Sequence, residues 1–224
     1  MSSHAASLDP AALKTKQRAL RDGFPDALGL RVHRAISWLT RAENEEHSDV
    51  RFILLWIGFN AAYADNIGRA IDTAGNERDA FAAFFDTLGS FDGERRIYGA
   101  VWQRFSQEIR VLLGNQYIFG PFWKHQNGEP GYADWRDRLD RANVAIAAAL
   151  RRQDTTTILS ILFDRLYMLR NQLVHGGATF DSAINRAQVR DGCALLGFLL
   201  PIFVDLMMDN PDHPWRMPHY PVVD

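Results

Sequence analysis

An all-α fold, an up-and-down antiparallel helical bundle with additional helices and an aromatic-rich loop insertion, is what this 224-residue chain predicts. Apolar residues recur at the 3.6-residue helical period through most of its length, and alternating, strand-like runs are scarce. The polar connections are mostly short, which favours antiparallel neighbours. About seven helices fit that pattern.

Residues 1–30 are mixed and polar and read as an N-terminal extension. A short helix is expected there from Asp9 to Arg21 behind Pro10, a residue suited to a first helical position. The main helical domain spans residues 31–210. Its first helix is expected from about Arg31 to Glu46, where Val32, Ala35, Ile36 and Leu39 form an apolar stripe that Trp38 widens. Ser48 and Asp49 can cap a longer helix through Ile71, carrying Phe52, Ile53, Leu55, Trp56, Phe59, Ala62 and Tyr63. A helix from Glu77 to Leu88 is expected to stop at Gly89, and one from about Glu94 to Leu113 at Gly114. Gly114 to Asp134 reads as a structured loop, rich in Gly and Pro and holding Tyr117, Phe119, Phe122, Trp123 and Tyr132, with Trp135 just beyond. Asp134 can cap a helix through Arg152 with an alanine-rich middle; residues 72–152 together form the insertion. Thr155 to Thr157 start a helix that ends at Gly176, and the last helix runs from about Asp181 to Met208, where Asn210 and Pro211 stop it. Residues 211–224 are a proline-rich tail.

Composition narrows the functional classes. An apolar fraction of 47% and a charged fraction of 23% are those of a soluble globular protein large enough for a substantial core. The formal net charge of -2 provides no basic excess for wholesale phosphate binding. Any RNA contact must be local, or built by bringing two copies together. The single cysteine, Cys193, excludes an intrachain disulfide and a cysteine-rich zinc site, and fits a cytoplasmic protein. Met1 to Asp22 has no signal-like apolar run, and the stretch Cys193–Leu200 plus Ile202–Val204, interrupted by Pro201, reads as a buried helix too short to span a membrane. No metal-ligand spacing joins His4, His33, His47, His125, His213 or His219 to Cys or acids, and no P-loop, dinucleotide fingerprint or nucleophile elbow occurs. No metal or cofactor is expected.

The chemistry concentrates in Arg170-Asn171-Gln172-Leu173-Val174-His175-Gly176-Gly177, where an apolar helix runs into a glycine pair. Arginine carries a permanent charge and a donor fork suited to phosphate. Histidine exchanges a proton near neutral pH, as a general acid or base must. Asn171 and His175 are four positions apart and share a helical face. Arg170 and His175 are five apart, roughly 140° around the helix. Either the helix unwinds at the glycines and Arg170 sweeps across, or two copies pool their motifs across a two-fold axis. In RNA cleavage by the 2′-hydroxyl, His175 suits proton removal and Arg170 suits stabilisation of the phosphorane.

An apolar helix ending in Arg-Asn-x-Leu-Val-His-Gly resembles the signature of the HEPN superfamily, an Arg followed by four to six residues and a His. Here Arg170 is followed by four residues and His175, with Asn171 directly after the Arg. Ala35–Leu39 and Phe52–Tyr63 are similar to the family's first two helices, the Trp56–Tyr63 part most of all to its Apea-like branch. The resemblance covers roughly residues 31–208. It implies a dimerising bundle and, in catalytic members, a metal-independent ribonuclease with Arg170 and His175 at the dimer cleft and Asn171 positioning the scissile phosphate. It also implies a toxin or defence effector with an antitoxin or regulatory protein as partner, or a non-catalytic module binding RNA, a nucleotide or a protein. Toxins silenced by nucleotide addition carry a Tyr two residues after the His; this chain has Gly177 there, which argues against that regulation.

Plainer readings stand beside these. Arg170, Asn171 and His175 can simply finish a helix, the amide and imidazole bonding to backbone and Arg170 pairing with an acid such as Asp164. Asn60 and Tyr63 are candidates to orient the motif from behind. The aromatic loop could stack bases, but packing the insertion suits large aromatics better. Arg95-Arg96 and Arg151-Arg152 read as solvated faces.

Overall fold

Asp9 begins the first helix, its Oδ1 accepting the Ala12 N–H at 2.6 Å, and Pro10 occupies the opening turn. Helix α1 covers Pro10–Leu20. The computed structural model describes residues 8–64, 74–183, 185–218 and 220. His4, His219 and the expected extension of the second helix to Ile71 lie outside the described residues. Ten α-helices occur among the described residues: after α1 come α2 (Asp26–Glu43), α3 (Ser48–Tyr63), α4 (Ala74–Phe91) and α5 (Arg96–Gly99). Then follow α6 (Ser106–Gly114), α7 (Gly120–Gln126), α8 (Trp135–Arg152), α9 (Thr155–Val174) and α10 (Arg186–Asp209). The all-α expectation holds.

Four helices pack around the core, two in each direction. Gly58 of α3 lies against Ala35 and Trp38 of α2, while Arg31 at the start of α2 donates to the Ala62 carbonyl at the end of α3, so these two are antiparallel. Trp56 meets Tyr167 and Phe59 meets Phe163, which sets α9 antiparallel to α3. Phe52 packs at Gly192 and Phe59 meets Phe203, so α10 runs parallel to α3. The start of α3, the end of α9 and the start of α10 therefore share one end of the bundle.

The core is aromatic. Phe59 lies 4.5 Å from Phe163, and Phe85 lies 4.8 Å from Phe163 and 5.7 Å from Phe203. All four rings are almost fully buried, which at about 1.5–3 kcal/mol per side chain makes this cluster a principal source of stability. At Gly192 an added Cβ would fall 2.6 Å from Phe52 Cε2, so α10 approaches α3 more closely than any side chain permits.

Several boundaries differ from the sequence expectation, each for a local reason. Helix α4 continues through Gly89 to Phe91 because that glycine is helical and exposed. The single helix expected from Glu94 to Leu113 is divided. Arg95 takes the left-handed conformation at φ 55°, and the Asp92 carboxylate caps α5 by accepting the N–H groups of Arg96 and Ile97 at 2.7 and 2.9 Å. A π-helical turn at Ala100–Arg104 then separates α5 from α6. The segment 114–134 is less loop-like than expected, since it contains α7 and a 3-10 turn at Gln116–Ile118. Pro201 stands inside α10 without ending it. The uninterrupted helix is thus long and apolar enough to cross a membrane, correcting the expectation that it is too short, yet 78% of its most apolar window is buried inside the fold.

Candidate functional site

Asp154 caps α9 by accepting the Thr157 N–H at 3.1 Å. The helix then buries Ile158, Leu159, Leu162, Phe163, Leu166 and Leu169 before turning polar at Arg170, Asn171 and Gln172, all partly buried. Its end is a Schellman motif made from backbone alone. His175 is the last half-helical residue, its N–H bonded to the Asn171 carbonyl at 2.9 Å. Gly176 takes φ 70°, the left-handed conformation that glycine adopts at little steric cost. Gly177 N–H then reaches back to the Gln172 carbonyl at 2.7 Å, and Gly176 N–H to that of Leu173 at 3.4 Å. A side chain at position 177 would meet the Gln172 carbonyl oxygen at 3.1 Å, so the second glycine also has a local cause. The glycine pair belongs to the cap, as the plainer reading holds for the backbone.

The side chains are spared that duty. Arg170 Nη1 donates to Asn171 Oδ1 at 2.9 Å, and among the described residues the guanidinium has no carboxylate partner. His175 is exposed, and its imidazole makes no hydrogen bond among the described residues. The structure therefore joins Arg170 to Asn171 and leaves His175 open to solvent about one turn further on. The expected ion pair between Arg170 and an acid such as Asp164 is not formed among the described residues.

Gln172, which the sequence reading passed over, organises the surroundings. Its Nε2 donates to the Tyr117 carbonyl at 2.6 Å, and its Oε1 accepts from Asn185 Nδ2 at 2.6 Å. One amide thus ties the aromatic insertion to the residue that precedes α10. The segment after the motif is latched separately. Arg186 holds Asp49 with both terminal nitrogens, at 2.8 and 3.1 Å, and Asp49 also accepts the Asp181 N–H at 2.8 Å. Phe180 packs edge-on to His47 with ring centroids 5.3 Å apart. Burial alone would raise the Asp49 carboxyl, but Arg186 and the Asp181 N–H outweigh it and hold the group below the usual carboxylate range. Asp49 was expected to cap α3; it serves the latch instead. Neither Gln172 nor Asp49 had a local sequence signal for these roles, because their partners are distant in the chain.

Asn60 and Tyr63 sit at the other end of α3. They follow Asp49 by 11 and 14 positions, roughly 16 and 21 Å along the helix axis. Tyr63 stacks on Phe59 at 4.5 Å and packs against Phe81 and Phe84. The structure places Tyr63 against the aromatic core and both residues well away from the end that holds Arg170, Asn171 and His175.

Arg96 is not on a solvated face as expected. It is largely buried and donates to Asp205 at 2.6 Å, beside Lys16, which also meets Asp205 at 2.6 Å. Arg96 and Asp205 border a cleft of about 310 Å³ lined also by Phe91, Glu94, Asp209 and Asn210. Asp205 lies 19 positions beyond Arg186 on α10, roughly 28 Å from the motif end by helical rise. Its ions neutralise one another, in contrast to Arg170. Among the described residues no three His, Cys, Asp or Glu side chains converge as metal ligands.

No family model matches this chain, and neither a curated protein nor a solved structure does.

Proposed function

We propose that the chain is a HEPN-type endoribonuclease that works without a metal ion and acts as a homodimer, with Arg170, Asn171 and His175 of both copies facing one cleft. One observation carries this reading: the end of α9 is capped by backbone, while among the described residues Arg170 keeps a single neutral hydrogen-bond partner and His175 keeps none. Two arginines that hold distant parts of the fold together are neutralised, Arg186 by Asp49 and Arg96 by Asp205. A guanidinium without a carboxylate, one helical turn from an open imidazole, suits an anionic substrate.

In the proposed reaction the RNA 2′-hydroxyl gives its proton to a His175 imidazole and its oxygen attacks the adjacent phosphorus. Arg170, held by Asn171, stabilises the charge of the five-coordinate phosphorane. The bond to the 5′-oxygen breaks, and that oxygen takes a proton from the second copy's imidazolium. The products are a 2′,3′-cyclic phosphate and a free 5′-hydroxyl. Two copies also double the local positive charge, which a chain of net charge -2 otherwise lacks. A toxin or defence role, with a neutralising partner protein, belongs to the same proposal.

The test is to incubate the protein with a mixed RNA pool in excess EDTA and to identify the new ends. Cyclic phosphate and 5′-hydroxyl termini are expected. RNA that is bound and recovered intact would replace the enzyme by a binding module with the same cleft.

A further inference from the structure

Two rings of the aromatic insertion are buried, and Tyr117 is exposed. Phe119 and Trp135 are 5% and 6% exposed, so packing accounts for them. Tyr117 is 50% exposed. Its backbone is nevertheless fixed more firmly than that of an ordinary surface residue. The Tyr117 N–H donates to Asn115 Oδ1 at 2.8 Å, and its carbonyl accepts from both Trp123 Nε1 at 2.7 Å and Gln172 Nε2 at 2.6 Å. Phe122 meets the Tyr117 ring at 5.6 Å with an interplanar angle of 86°, an arrangement that supports the ring without stacking on it.

The anchor determines what this ring stands beside. Gln172 directly follows Asn171 and precedes His175 by three positions. On α9 Gln172 and His175 are about 60° and 4.5 Å of rise apart, which puts these two on adjoining strips of one surface. The anchor thus holds an exposed aromatic ring on the strip of α9 that leads to His175, an exposed imidazole with no hydrogen bond among the described residues. Arg170, two positions before Gln172, faces about 160° away on the helix.

We propose that Tyr117 is a nucleobase-stacking residue, forming a subsite on the His175 side of the motif that selects unpaired over duplex RNA. The proposal rests on the ribonuclease reading and adds a specificity determinant to it. A base already stacked in a duplex has no free face for Tyr117, whereas an unpaired base does. Aromatic stacking accepts every base, so the subsite favours strandedness over sequence.

Binding of a randomised 2′-O-methyl oligoribonucleotide pool, which lacks the attacking hydroxyl, isolates this subsite from catalysis. Tyr117→Leu retains apolar bulk without a flat ring, and Tyr117→Phe retains the ring; helical circular dichroism checks the fold of both. Tyr117→Leu is expected to weaken single-strand binding about 10-fold, with Tyr117→Phe within about two-fold of wild type. Wild type should bind the annealed duplex pool more weakly, and the Leu variant should leave that value unchanged. Unaltered single-strand affinity in Tyr117→Leu would overturn the subsite while leaving the ribonuclease reading intact. Failure of wild type to bind either pool would overturn both.

Discussion

Arg170 donates from Nη1 to Asn171 Oδ1 at 2.9 Å, and this amide is its one hydrogen-bond partner among the described residues. The contact orients the guanidinium without cancelling its charge. Asn171→Asp would replace the amide by a carboxylate and neutralise Arg170 in place. Its cleavage rate is expected to fall by roughly 10²-fold or more, the scale of losing one charge-stabilising donor. Asn171→Ala should lose less, because the charge survives. Equal rates for wild type and the Asp variant would show that Arg170 has no role in the reaction.

Arg186 and Asp49 join two parts of the chain 137 positions apart and hold the segment after His175. Arg186→Ala leaves a largely buried carboxylate without its main partner and should destabilise the fold by about 3 kcal/mol. Chemical denaturation measures this directly. A loss under about 0.5 kcal/mol, typical of an exposed surface change, would mean that the latch is ornamental.

Acid should act through the same groups. Burial opposes the charge of Asp49 and Asp205, but their arginine and lysine partners prevail and hold both pKa values below the usual range. A depressed folded pKa contributes stability that is present above the unfolded value of about 3.9 and is lost as pH falls through the folded value. Stability should therefore drop below about pH 4, and Asp205→Asn should flatten that part of the profile. A variant profile parallel to wild type down to acid unfolding would contradict the assignment.

Cys193 is buried, and burial pushes its thiol up to about 12. Sγ also donates to the Ser48 carbonyl at 3.3 Å. Native protein should react with a thiol-specific reagent at neutral pH only as fast as it opens, and fully once denatured. Rapid stoichiometric labelling of native protein would place the start of α10 differently.

Gly192→Ala should destabilise the fold by about 1–3 kcal/mol, since Phe52 is fully buried and stands 2.6 Å from the new methyl carbon. Thermal unfolding checks this. An unchanged midpoint would mean that α3 and α10 are not packed at that distance.

Periodicity made the fold class and the two apolar helices around the motif readable, because burial of Leu162, Leu166, Leu196 and Leu199 follows a 3.6-residue repeat. The glycine pair marked the end of α9 for the same local reason that it forms there: only a left-handed residue completes that cap. Pro201 misled, since a proline removes one helical hydrogen bond but does not end a helix whose other faces are buried. Arg95 misled the other way, since nothing in its type announces a left-handed turn. Around the motif, Asn171 was legible as a neighbour of Arg170 in sequence. Gln172, Tyr117, Asp49 and Arg186 were not, since each acts through a partner that only the tertiary fold brings near.

The most direct measurement of the central claim is the initial rate of RNA cleavage in excess EDTA by wild type, Arg170→Ala and His175→Ala. Circular dichroism and sedimentation on the same samples report the fold and the dimer. Wild type should cleave, and each variant should lose roughly 10²-fold or more of the rate while remaining folded and dimeric. Cleavage by either folded variant at the wild-type rate would contradict the account.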